Sequence, residues 1–221
     1  MGWFRLSAAF LLALFLAVES AALAAPSLYD RELVRNGAAE TDAGTTDPKA
    51  ARPAVDWHPV AGFAPVLTLR YGTKGGFPRP DSPGASYHGL NFFWGGYTPR
   101  ASAYQDIEIS AIASDIDARQ VQFKLSAWLG GREKLADHST VSVTFLDPDG
   151  KNLGGAYVGP VTNADRGGVT SFQYREVGRL VPAGSRIARI TIVMMRFEGE
   201  SNDGYVDGIS FFLHKSVVPA R

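Results

Sequence analysis

Two groups of residues in this sequence have the types and spacing for chemistry. The first is built on Trp128. In the stretch Val121 to Leu129, the residues Val121, Phe123, Leu125, Ala127 and Leu129 fall on one face of a strand. Gln122, Lys124, Ser126 and Trp128 fall on the other. An aromatic plate among hydrogen-bonding groups suits a sugar, whose ring C–H face is apolar while its hydroxyls need partners. Trp128, Lys124 and Gln122 are therefore the candidate ligand-binding residues. The same placement also fits an indole covered by a loop or filling a second, smaller core.

The second group is acidic. Asn202 to Leu213 opens with turn residues, carries Asp207 at the mouth of a strand, and closes with Ile209, Phe211 and Leu213 on one face. As the last strand of a sandwich it is expected to meet the N-terminal segment around Asn36 and Glu40. Asn36, Glu40 and Asp207 are then a candidate ion site; otherwise the two acids cap turns or accept backbone N–H bonds.

Other chemistries find little footing. His58, His88, His138 and His214 are scattered, with no H-E-x-x-H pattern and no paired metal spacing. No G-x-S-x-G elbow occurs. Asp147-Pro148-Asp149-Gly150 resembles the start of a calcium loop, but Lys151 stands where a ligand is needed and no Glu follows at the twelfth position, so it reads as a turn. Glu198 and Glu200 read as a solvated turn. A non-catalytic protein is expected.

The elements that must position these residues are strands. Val66 to Tyr71, Leu90 to Trp94, Ala103 to Ile109, Val121 to Leu129, Val141 to Phe145, Phe172 to Val177 and Ile187 to Met195 show alternating or β-branched character. Leu33 to Glu40 reads as a short strand running into a turn. Gly72 to His88 and Gly159 to Gly168 are long loops; the first holds too many prolines and glycines for a helix. Roughly eight or nine strands with turns between them give an all-β sandwich of two antiparallel sheets.

Composition narrows the partners. Lys+Arg and Asp+Glu both number 22, so the formal net charge is zero. No basic field gathers nucleic acid, and no polybasic run holds an anionic membrane. There are no cysteines, which excludes disulfides and a cysteine-linked lipid anchor. Residues 1–24 read as an export signal: Arg5, then the apolar run Leu6 to Val18, then Ala22-Leu23-Ala24 before a cut at Ala25. Residues 25–221 are then one domain, secreted or periplasmic, with no membrane span.

The order of motifs resembles the galactose-binding-like jelly rolls, above all carbohydrate-binding modules of families 4, 9 and 22. The residues are Asn36-Gly37-Ala38-Ala39-Glu40, Trp57, Gln105-Asp106-Ile107, Phe123 to Trp128, Val141 to Gly150, Val181 to Gly184 and Asp207 to Phe211. F-box-associated glycan-binding domains are similar at greater distance. The resemblance implies a jelly roll and a structural calcium ion joining the first and last strands through such residues as Glu40 and Asp207. It implies a glycan or polysaccharide as partner. A structural or protein-binding module of the cell surface or matrix is the alternative, and a carbohydrate-active enzyme a more remote one.

Overall fold

The computed structural model describes residues 27–216. Eleven strands form two sheets. The first strands are short: β1 (Arg52–Pro53), β2 (His58–Pro59), β3 (Leu67–Arg70) and β4 (Asn91–Trp94). Long ones follow: β5 (Arg100–Glu108), β6 (Val121–Gly131), β7 (His138–Leu146), β8 (Asn152–Val158), β9 (Ser171–Leu180), β10 (Ile187–Met195) and β11 (Gly204–Lys215). A single short helix, α1 (Ala113–Asp117), occupies the β5–β6 connection. One sheet has the order β1-β3-β4-β11-β6-β9 and the other β2-β5-β10-β7-β8, with antiparallel pairing between neighbours. This is the expected sandwich. Its unforeseen strands are the two proline-bearing pairs β1 and β2 and the glycine-rich β8. The prolines sit on edge strands, where a missing N–H costs no ladder bond.

The inner faces meet in one core. Phe123, Leu125, Ala127 and Leu129 of β6 pack with Val141, Val143 and Phe145 of β7, Ile190 and Ile192 of β10, and Phe211 and Leu213 of β11. The alternation along β6 continues to Leu129, and its even-numbered residues face outward.

The outward side of the six-stranded sheet carries a second apolar cluster. Leu69, Tyr71, Phe92, Trp94, Phe172 and Tyr205 gather there, and Phe77 reaches in from the Gly72 to His88 loop. Trp94 is core, as its phase with Phe92 requires, while Leu90 is exposed. The long loop therefore covers part of this sheet. Its aromatic plug lies edge-on to Trp94, with ring centroids 5.5 Å apart.

Leu33 to Glu40 is not a strand. Asn36 and Ala39 have φ of 48° and 58°, left-handed conformations that break an extended run. The segment instead follows β11 through Leu33 N–H to Phe211 O, 3.1 Å, and Ile209 N–H to Gly37 O, 2.8 Å. β11 is itself irregular, with a register shift between Asp207 and Ser210 opposite β6. Gly208 supplies the positive φ of 55° at that bulge. Consequently Val206 and Ile209 both point inward although three positions apart, and Asp207 stands inside the strand, not at its mouth.

Candidate functional site

The open part of the six-stranded sheet is organised by the β6–β9 register. Trp128 pairs with Tyr174, Ser126 with Glu176, Lys124 with Gly178, and Gln122 with Leu180. Side chains of directly opposed residues share a face, so one outward row joins all four pairs. Trp128 is half-buried: it packs against the outer aromatic cluster on one side and meets Tyr174 at 5.6 Å between centroids on the other. The indole thus borders the second core and stays partly exposed.

Beyond Ser126, the side-chain-free Gly178 opens a groove of about 350 Å³ lined by Gln122, Lys124, Glu176 and His214. Lys124 Nζ lies 2.7 Å from Glu176, and Tyr174 donates its hydroxyl to the same carboxylate at 2.8 Å. The hydrogen bond to Glu176 raises the Lys124 ammonium, and the one from Lys124 lowers Glu176. Both groups stay ionised at neutral pH, giving fixed donors and acceptors beside an aromatic pair. Two of the three expected ligand residues, Gln122 and Lys124, line the groove; Trp128 stands two positions along β6 from Lys124.

The expected ion residues are brought together only partly. Glu40 Oε1 accepts the N–H groups of Leu90 and Asn91, at 2.9 and 2.8 Å. Asp207 Oδ2 accepts the Tyr71 hydroxyl at 2.7 Å, and its Oδ1 accepts Gly208 N–H. Burial pushes the Asp207 carboxyl up to about 8, and the Glu40 charge adds to the effect. Two carboxylates in one neighbourhood suit a hard cation. Asn36 does not join them: its amide donates to Asp42 and to Val55 O and accepts Thr41 N–H, closing its own turn. Among the described residues no cluster of three or more acidic, histidine or cysteine side chains is placed to hold a metal. Asp207 lies on the same face as Trp128, since the two are opposed in the β11–β6 register.

The Asp207 environment has a measurable consequence. The native carboxyl keeps its proton up to about pH 8, whereas an unfolded one releases it near 3.8. Between these values the native state binds more protons, so stability falls as pH rises. The slope from this one group is at most about 1.4 kcal/mol per pH unit. Asp207→Asn should flatten the dependence of the melting temperature on pH between 4 and 8. An unchanged slope in the variant would show that Asp207 is ionised in the native state.

A second surface was not singled out by the sequence. On the outward face of the five-stranded sheet Tyr104, Arg189, Thr191 and Ser142 are half-buried. Registers place His58, Tyr104, Thr191, Ser142 and Tyr157 in one row across all five strands. Arg189 lies over the Tyr104 ring, 4.3 Å from its centroid, and forms a bidentate pair with Asp106 at 2.7 and 2.8 Å. Tyr157 is 66% exposed. The available signal was phase: Tyr104 and Asp106 alternate with the buried Gln105 and Ile107.

No family model and no curated protein matches the chain. Solved structures do. A Fischerella cyclase in complex with 4-(1H-indol-3-yl)butan-2-one aligns with a TM-score of 0.53 and 11% identity, over 85% of this chain and 100% of that one. An arabinose-bound α-L-arabinofuranosidase aligns at 0.50 and 15%, over 82% of this chain; the chain spans only 26% of that enzyme. The xylan-binding CBM22-1 domain of Paenibacillus barcinonensis Xyn10C aligns at 0.46 and 12%, over 87% of this chain and 100% of that domain. At these identities the likeness is one of fold. The fold is a sandwich of two antiparallel sheets, and the structures it is similar to include carbohydrate-binding modules.

Proposed function

We propose that this protein is an exported, non-catalytic glycan-binding module that receives its ligand along the open row of the six-stranded sheet. The observation that carries the reading is the continuity of Trp128 and Tyr174 with the polar groove of Gln122, Lys124 and Glu176. The aromatic pair offers an apolar plate to a sugar ring. The ionised Lys124–Glu176 pair offers a donor and an acceptor to hydroxyls along the same line. Screening the protein without its leader on a glycan array, then repeating the screen with Trp128→Ala, tests the assignment. Retention unchanged by the substitution would remove it.

A second platform is favoured by the row from His58 to Tyr157, where aromatic rings flank hydroxyl side chains and both ends of the row are exposed. Tyr104→Ala is the discriminating variant.

Two further parts of the proposal concern the leader and the ion. The leader at residues 1–24 lies outside the described residues; cleavage before Ala25 should appear in the intact mass of secreted protein, and a retained leader would contradict it. A calcium ion at Glu40 and Asp207 would neutralise two neighbouring acids and tie the N-terminal segment to β11. Carbonyls and water would have to complete its shell, since hard cations of this size take six to eight oxygens. A hundredfold excess over Kd adds about 2.7 kcal/mol to stability. Calcium should therefore raise the melting temperature at pH 8, and chelator should lower it. Identical curves with both would eliminate the ion.

A further inference from the structure

Loops at an end of the sandwich enclose a depression of about 530 Å³ that shares no lining residue with the β6–β9 groove. Lys74, Phe77, Tyr97, Arg132 and Asp203 line it. Arg132, immediately after β6, is the informative residue. Its guanidinium lies against Gly76, where a Cβ would come within 2.5 Å of Nε. Gly75 and Gly76 have φ of 104° and 88°, so the loop is built from residues that leave this approach open.

The guanidinium is held in place but not satisfied. Nε is buried with no acceptor. The acidic oxygen paired with it is Asp203 Oδ2, 3.8 Å from Nη1 and beyond hydrogen-bond range. Asp203 is committed elsewhere: its Oδ1 accepts the hydroxyls of Ser201 and Tyr205 at 2.8 and 2.9 Å. Among the described residues no side chain or carbonyl accepts a hydrogen bond from Arg132, and Lys74 places a second cation on the same wall. Glu133 and Glu200 also line the depression; like Lys74 they are exposed to solvent, so these three charges are screened alike and the partly buried Arg132 is the cation that is least screened.

Tyr97 completes the arrangement. It is 51% exposed, yet its ring is fixed edge-on to Trp94 at 5.1 Å and 87°. A guanidinium whose Nη donors have no hydrogen-bond acceptor, in one depression with a fixed aromatic plate, matches a carboxylate or sulfate attached to a pyranose ring.

We propose that this depression binds an anionic sugar residue, with Arg132 receiving its carboxylate or sulfate, Lys74 adding charge, and Tyr97 supplying the plate for the ring. The proposal rests on glycan binding as the protein's function but assigns a separate site. Calorimetric titration with oligogalacturonate, oligomannuronate and a sulfated galactan oligomer tests it, each set against its carboxyl-reduced or desulfated counterpart. At least one acidic oligomer should bind at least tenfold more tightly than its neutral form, and raised salt should weaken it. Arg132→Gln should lose at least tenfold, and Tyr97→Ala and Lys74→Ala several-fold each. Trp128→Ala should leave this binding unchanged even if it abolishes retention of neutral glycans.

Failure of all three acidic oligomers to bind, equal binding of the neutral forms, or wild-type affinity in Arg132→Gln would overturn the site and leave Arg132 as a residue hydrated by water. If Arg132→Gln does not fold, wild-type affinity in both Tyr97→Ala and Lys74→Ala overturns it. Loss of acidic-sugar binding in Trp128→Ala would move the ligand to the other surface and overturn it as well.

Discussion

Arg166→Met should destabilise the protein by about 3 kcal/mol, because a buried guanidinium is the common hydrogen-bond donor for four carbonyls. Arg166 is 4% exposed. Its Nη1 donates to Gly131 O, Glu133 O and Val169 O at 2.8, 2.9 and 2.7 Å, and its Nη2 to Leu135 O at 3.3 Å. These carbonyls belong to the end of β6, the turn after it and the loop before β9. One side chain thus fastens three backbone segments, and burial lowers the guanidinium without displacing its proton. Methionine fills much of the space but donates nothing, leaving four acceptors to find water. Arg166→Lys keeps the charge but not the fork, and should recover only part of the loss. Urea unfolding of the three proteins reads the effect. A loss below about 1 kcal/mol in the methionine variant would mean that water already serves these carbonyls.

Phe77→Ala should be almost as costly locally, about 3 kcal/mol by the range for large-to-small aromatic truncations, yet spare the sandwich. Phe77 is the aromatic plug of a loop rich in glycine and proline. It packs on Trp94 and Tyr205, with centroids at 5.5 and 6.1 Å, and belongs to the outer cluster, not to the core between the sheets. Hydrogen bonds from Phe172 N–H to Pro83 O and from the Thr170 hydroxyl to Gly76 O tie the loop to the start of β9 and the residue before it, and bonds to Arg70 O from Thr73 anchor its beginning. Without the plug these should not suffice to keep the loop docked, since each contributes only about 1 kcal/mol net. Hydrogen exchange should accelerate across residues 72–88, and limited proteolysis should cut there, while amides of β6 and β10 remain protected. Equal acceleration in β10 would show that the outer cluster and the main core unfold as one unit.

These two residues also mark the limit of what the sequence discloses. Alternation located β6, β7, β10 and β11, because one face of each is buried in the main core and the period-two pattern is strong. It says less of the outward side of β3, β4 and the start of β11: phase places Trp94 and Phe92 in a core, but not that a loop helps to bury them with Leu69 and Tyr205. A glycine- and proline-rich loop carries no periodicity to announce that Phe77 folds back. β8 escaped notice because Gly154 and Gly155 leave little alternation to read, and Leu33 to Glu40 was misread because apolar residues precede a left-handed Asn36.

The candidate site was legible in the same uneven way. Gln122, Lys124 and Trp128 share one strand, so their common face follows from spacing alone. Their partners Tyr174 and Glu176 depend on the β6–β9 register, which no local pattern encodes. The row across the five-stranded sheet needs four registers at once. Glu40 and Asp207 were paired through motif order, whereas Asn36 was carried along by the same motif and turns its amide to Asp42. The bulge at Gly208, which sets Asp207 facing outward opposite Trp128, has no signal beyond a glycine in a strand.

The most direct measurement is the affinity of the glycan retained best in the array screen, compared by calorimetry for wild type, Trp128→Ala and Tyr104→Ala, with melting curves of each. The account predicts that Trp128→Ala loses about 1–3 kcal/mol of binding, roughly ten- to a hundredfold, with only a small change in melting temperature, while Tyr104→Ala binds as wild type. Undiminished binding in Trp128→Ala together with its loss in Tyr104→Ala would contradict the account and place the ligand on the five-stranded sheet.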